Sequence, residues 1–100
     1  MGISISHGVQ NTRSATTIAN LGKHLAHALS SSDWREVSPL FDGSVRTPVT
    51  VRPADAGRIG DILNSAAARR AMDPEWGRLA NEFGNAAARA ARAGQNWEWD

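Results

Sequence analysis

The sequence predicts an α+β fold in which four helices pack on a small sheet of two or three short strands, in the order β-α-α-β-α-α-β. Four segments repeat apolar residues at three- and four-residue spacing, the period of an amphipathic helix. Three other segments alternate apolar and polar residues, as strands with one buried face do. A chain of 100 residues has room for one hydrophobic core, so residues 1–100 are expected to form a single domain.

The first strand and the first helix are predicted from residues 3–29. Ile3 and Ile5 alternate with serines and indicate a short strand, whereas the polar run over residues 7–13 indicates a loop. A helix should extend from about Ser14 to Leu29, because Ser14 is a favourable N-cap and an apolar stripe follows it. That stripe comprises Ile18, Leu21, Leu25, Ala28 and Leu29.

A short second helix and an extended segment follow. Asp33 with Glu36 resembles a capping box, so the second helix is expected to start at Asp33, and Pro39 and then Asp42-Gly43 should limit its length. Residues 45–51 place apolar or β-branched side chains on one parity, which predicts an extended segment with one buried face. Pro48 puts that segment at a sheet edge or bulge. The residues of this parity are Val45, Thr47, Val49 and Val51.

Two longer helices occupy most of the second half. The third is predicted over about 53–72, with Pro53 in its first turn. The fourth is predicted over about 74–93, with Asp73 as its cap and Gly94 as its stop. Small residues inside both helices indicate tight packing of helices within one subunit, with a contact between subunits as the alternative. The glycines concerned are Gly57, Gly60, Gly77 and Gly84.

The tail of the chain alternates again and places Trp97 and Trp99 on one side of a predicted terminal strand. We expect this strand to dock beside residues 3–7 or 45–51. The four tryptophans, these two with Trp34 and Trp76, are expected to be mainly core residues. Any part of the Trp97 and Trp99 face that stays exposed would be a candidate protein interface, because tryptophan is enriched at the centres of interfaces.

Composition excludes several classes of site. The net charge of +1 provides no general attraction for a nucleic acid or an anionic membrane. Without cysteine the chain can form neither disulfides nor thiolate metal sites. No segment reads as a signal peptide or a transmembrane span, so a cytoplasmic location is expected.

The histidines and carboxylates form no recognisable catalytic or metal-binding set. His24 and His27 share a helix face, but the neighbouring Lys23 disfavours a cation there, so we expect exposed histidines and no metal. His7 could join a hydrolase triad only through a geometry that the sequence does not reveal. We therefore expect no enzyme and no cofactor, and a hydrolase or transferase of unrecognised type remains the alternative.

Arginines supply the main alternative to a protein interface. Arg78, Arg89 and Arg92 line the predicted fourth helix, and Arg78 could pair with Glu82 one turn away. Together with other arginines they could form a basic helix face that contacts nucleic acid. Those other arginines are Arg46, Arg52, Arg69 and Arg70.

Four stretches together resemble a family of small uncharacterised proteins of actinobacteria and their phages. They read MGISISH over 1–7, LAHAL with DW over 25–34, VRPADAGRI over 51–59 and AARAGQNWEW over 90–99. The excess of arginine over lysine is typical of a GC-rich genome of that kind. The resemblance implies no activity and no functional residue.

The sequence therefore predicts a non-catalytic protein-interaction module, either a homodimer or a small regulator or inhibitor of another protein, in which a phage or mobile-element setting is plausible. The partner is expected to be a protein or a second copy, with nucleic acid as the alternative and no membrane. The candidate interface residues are Trp97, Trp99, Trp76, Arg78, Arg89 and Arg92.

Overall fold

The computed structural model describes residues 2–100 and confirms the predicted α+β architecture of four helices with small antiparallel sheets. The helices are α1 (Ala15–Ala28), α2 (Ser31–Phe41), α3 (Pro53–Ala67) and α4 (Pro74–Arg92). The strands are β1 (Gly2–Ile3), β2 (Arg13–Ser14), β3 (Val49–Val51) and β4 (Trp97–Trp99). The order matches the predicted one, with β2 in addition. β2 pairs with β1 but is too short to show an alternating pattern.

Strand β4 joins the two ends of the chain. It pairs antiparallel with β3, with Val49 opposite Trp99. On its other side the Asp100 N–H donates to the Ser4 carbonyl at 2.7 Å, and the Ser6 N–H donates to the Glu98 carbonyl at 2.9 Å. The tail therefore docks at both of the places that the alternating pattern suggested.

The core is built around the two tail tryptophans. Trp97 and Trp99 are 0% exposed. The Trp99 ring meets Phe41 and Phe83 edge to face, with centroids 5.6 and 5.7 Å apart. These four rings fix the sheet against α2 and α4, because aromatic burial provides more apolar area per residue than the many alanines do.

Helices α3 and α4 pack antiparallel and very closely. A Cβ atom built on Gly60 would lie 2.9 Å from the carbonyl oxygen of Gly84, which is too close for a side chain. Gly57 faces Ala91 across the same contact at an ordinary distance. The small residues therefore serve helix packing within one subunit, as predicted.

The start of α2 differs from the predicted one. The N-cap is Ser30, whose Oγ accepts the Asp33 N–H at 3.2 Å, so the prediction of Asp33 as the cap is wrong. Pro39 lies inside the helix, which ends at Phe41, just before the predicted stop at Asp42-Gly43. The Arg35 carbonyl, which would normally bond to the N–H of residue 39, accepts the Ser38 hydroxyl at 3.4 Å. This substitute bond reduces the cost of the proline.

Two predicted elements, the extended segment over 45–51 and the third helix, are longer than the elements observed. Only Val49–Val51 forms a strand within 45–51, and Thr47 is exposed, so the buried face does not extend over the whole segment. α3 ends at Ala67 instead of Met72, because the chain tightens there into three-residue hydrogen bonds such as that from the Ala68 N–H to the Ser65 carbonyl. The predicted caps Ser14 and Asp73 are confirmed.

No helix within residues 2–100 has the length and apolar content needed to cross a bilayer.

Candidate functional site

An open groove lies between the start of α1 and the first half of α4. Its volume is about 460 Å³. It is lined by Arg13, Thr17, Glu75, Trp76, Arg78, Leu79 and Glu82, and we call it the α1–α4 groove. Residues of α1 and β2 supply one wall and α4 supplies the other. Of the six predicted interface residues, Trp76 and Arg78 belong to this groove.

An ion pair between Arg13 and Glu82 closes one end of the α1–α4 groove. Arg13 Nη2 lies 2.8 Å from Glu82 Oε1, and the other carboxylate oxygen accepts the Gln10 N–H at 3.3 Å. Both side chains are less than a third exposed, so solvent screens the pair less than it screens a surface pair. Glu82 therefore holds the loop over residues 7–13 against α4. The predicted pair of Glu82 with Arg78 does not form, because Arg13 from another element occupies the carboxylate.

A stacked pair of rings forms the apolar wall. The Trp76 indole and the His24 imidazole lie with centroids 4.9 Å apart and planes 20° from parallel. Both residues are half-buried. His24 thus packs behind Trp76 and fixes its ring, while Leu79 continues the apolar strip along α4. The result is an apolar surface that is still accessible from the groove.

His7 takes part in a closed hydrogen-bond network at the other end of α4. Its Nδ1 lies 2.7 Å from Ser6 Oγ, and its Nε2 lies 2.8 Å from Gln95 Oε1. Ser6 Oγ also accepts the Glu98 N–H at 2.9 Å. The Arg89 Nε–H donates to the His7 carbonyl at 2.8 Å. Each of these groups already has a partner. The network therefore holds the two ends of the chain together and presents no carboxylate to His7.

No metal-binding cluster of three histidine or acidic side chains occurs within the described residues. His27 is exposed on α1, away from the ring stack of its neighbour His24. The pKa of Asp42, on the loop after α2, is lower than its ordinary value. The Ser44 hydroxyl, followed by the Ser44 N–H, lowers it by bonding to the carboxylate.

The other predicted site residues are spread over the fold. Trp97 and Trp99 are fully buried, so the idea that the tail exposes an interface face is not supported by their positions. They are buried because β4 lies between β3 and residues 4–6 and is covered by α2 and α4. Arg89 is bound to the His7 carbonyl, and the Arg92 Nε–H donates to the Ala88 carbonyl of its own helix at 3.4 Å.

Sequence reasoning missed Arg13, Thr17, Glu75, Leu79 and Glu82 as groove residues. Arg13 lay in a predicted loop, and its partner Glu82 is 69 positions away, so no helical or strand period connects the two. The one available signal was the polarity of α4: Glu75, Arg78 and Glu82 share the same side of the helix, and Leu79 lies beside them.

A domain-family model described as "Domain of unknown function (DUF7739)" matches residues 6–100. The searches of curated proteins and of solved structures found no match.

Proposed function

The chain belongs to the DUF7739 family, a domain of unknown function, and we propose that it is a non-catalytic protein-interaction module that binds through the α1–α4 groove. The observation that carries this proposal is the half-buried Trp76 ring, stacked on His24 and flanked by charges of both signs. Tryptophan and arginine are the residues that most often dominate the binding energy of protein interfaces.

The groove has the layout of a small interface. Trp76 and Leu79 provide an apolar centre, and Glu75 and Arg78 provide an exposed polar rim. The ring of Trp76 is already held in one orientation by His24, so little side-chain entropy is lost when a partner binds. An anchored aromatic ring within a polar rim is the arrangement in which interface energy is usually concentrated.

Capture with immobilised protein tests the proposal. We expect the wild-type chain to retain a partner protein and Trp76→Ala to lose it, while Arg35→Glu, an exposed change on α2, retains it. Circular dichroism should show that all three proteins are folded. Equal capture by the wild type and Trp76→Ala would contradict the role of the groove.

Nucleic-acid binding is the second candidate. Arg69, Arg70 and Arg78 are exposed and have no ion-pair partner within the described residues. They could meet a phosphate backbone near the turn between α3 and α4. Against this, Glu75 and Glu82 lie beside Arg78 and would repel phosphate. Binding of labelled duplexes and single strands at low and high salt decides between the candidates, because phosphate contacts weaken steeply with salt.

We further propose a cytoplasmic setting in an actinobacterium or a phage-infected host. The absence of cysteine and the ratio of ten arginines to one lysine support it. A role for the chain as a regulator or inhibitor of a host protein would suit that setting. Fractionation of a native host with an antibody to the chain, together with the genes beside its own, tests this proposal.

A further inference from the structure

The start of α4 lies outside the contact between this helix and the loop over residues 7–13. Farther along α4, Glu82 and Arg89 hold the loop over residues 7–13 against the helix. Glu75 and Arg78 precede that contact and are exposed, and neither has an ion-pair partner within the described residues. This segment of helix therefore has both apolar surface and unpaired charge available for another molecule.

The two free charges have opposite signs and lie three residues apart on one helix. A complementary surface must offer the same two signs in reverse order. A second copy of α4 running antiparallel does so, because the register that sets Glu75 opposite Arg78 of the partner subunit also sets Arg78 opposite Glu75 of the partner subunit. Such a contact is two-fold symmetric, as most homodimer interfaces are.

In this register the symmetry axis passes the helix at the level of Trp76, which is half-buried and so still partly accessible. The two Trp76 rings then lie near the centre of the contact, and the ion pairs lie at its edges. Central aromatic rings with a charged rim are the usual arrangement of binding energy in an interface.

We propose that the partner of the α1–α4 groove is a second copy of this chain, bound through antiparallel first halves of α4. The inference rests on the proposed function and specifies its partner. The overlap covers about two helical turns, so the dimer is modest, with a dissociation constant of about 10 µM to 1 mM.

Analytical ultracentrifugation of charge-reversed variants tests the proposal. Glu75→Arg gives two positive charges on the rim, and Arg78→Glu gives two negative charges. Each variant alone should dimerise at least about tenfold more weakly than the wild type, and an equimolar mixture of the two should recover dimer as a heterodimer. Asp61→Arg on α3 and Arg35→Glu on α2 carry matched charge changes at exposed positions and should dimerise like the wild type.

Recovery of dimer in the mixture, without recovery in either variant alone, supports the proposal, because no general effect on folding or net charge produces it. A wild type that stays monomeric up to about 1 mM overturns the second-copy partner. A dimer that is indifferent to both reversals also overturns it. In either case the proposed function still stands if Trp76→Ala loses a different captured protein, so the two failures are distinguishable.

Discussion

The indole of Trp76 stacks on the imidazole of His24, with ring centroids 4.9 Å apart, and Trp76 lines the α1–α4 groove. Trp76 is thus positioned by a neighbour without being buried by it. Trp99, in contrast, is enclosed by Phe41, Phe83 and Trp97. The two tryptophans should therefore respond differently to substitution.

Trp76→Ala should lower the free energy of unfolding by about 1–2 kcal/mol, because only part of the ring is buried. Trp99→Ala should lower it by about 3–5 kcal/mol, because it leaves a large core cavity. Urea unfolding followed by circular dichroism measures both. Equal losses would mean that Trp76 is a core residue and would remove the basis for treating it as a binding residue.

The two tail indoles differ in hydrogen bonding. Trp97 Nε1–H donates to the Ser6 carbonyl at 3.1 Å, whereas Trp99 Nε1 is buried without a partner within the described residues. Trp97→Phe should therefore cost about 1–3 kcal/mol more than Trp99→Phe, because it leaves the Ser6 carbonyl unpaired, while Trp99→Phe removes an unpaired donor. Urea unfolding of both variants measures the difference, and the reverse order would contradict this account of the core.

Two glycines in helices should respond in opposite directions to alanine. A Cβ on Gly22 would overlap the Phe41 carbonyl oxygen, so Gly22→Ala must separate α1 from α2 and should cost about 2 kcal/mol or more. A Cβ on Gly57 would meet only Ala91 Cβ, at 3.5 Å, so Gly57→Ala should add about 0.5–1 kcal/mol through helix propensity. Thermal unfolding of the two variants shows whether each substitution lowers or raises the stability.

Loss of the Glu82 charge should loosen the loop over residues 7–13. Glu82→Gln weakens the bonds to Arg13 and to the Gln10 N–H, and we expect it to cost about 1–2 kcal/mol. Arg78→Ala, on the same helix but with no ion pair to any residue of 2–100, should change stability by less than about 0.5 kcal/mol. Amide exchange should speed up in the loop for Glu82→Gln alone. Unchanged exchange there would show that other contacts hold the loop.

Asp42 provides a pH-dependent test. Its pKa is lowered in the folded chain, first by the Ser44 hydroxyl and then by the Ser44 N–H. A lowered folded pKa means that the carboxylate stabilises the fold above the ordinary aspartate value of 3.8, and that this contribution is lost as the pH falls through the folded pKa. Ser44→Ala should raise the pKa of Asp42 towards 3.8, as measured by NMR titration. An unchanged pKa of Asp42 in this variant would mean that backbone N–H groups alone lower it.

Local signals predicted most of the fold. The apolar stripe of α1, the caps Ser14 and Asp73 and the parity of Trp97 and Trp99 each depend on neighbours in the chain. The structure confirms the predictions made from these three signals. The errors arose where a local signal had two solutions: Ser30 competed with Asp33 for the same helix end, and Pro39 was accommodated by the Ser38 hydroxyl.

The groove could be predicted only in part. Trp76 and Arg78 were candidates because of their residue types, but the groove depends on Arg13 meeting Glu82 and on His24 meeting Trp76. Both contacts join distant parts of the chain, and no period in the sequence encodes them. The tail tryptophans show the converse: their type suggested an interface, and their position between β3 and residues 4–6 made them core.

The central claim is that the α1–α4 groove is a protein-binding surface, and site-specific photo-crosslinking tests it most directly. A photoreactive amino acid placed at position 78 should crosslink to a partner chain, either another copy or a different protein, while the same group at position 35 on α2 should not. Introducing Trp76→Ala should abolish the crosslink from position 78. A crosslink that forms equally from both positions, or that survives Trp76→Ala, would contradict the claim.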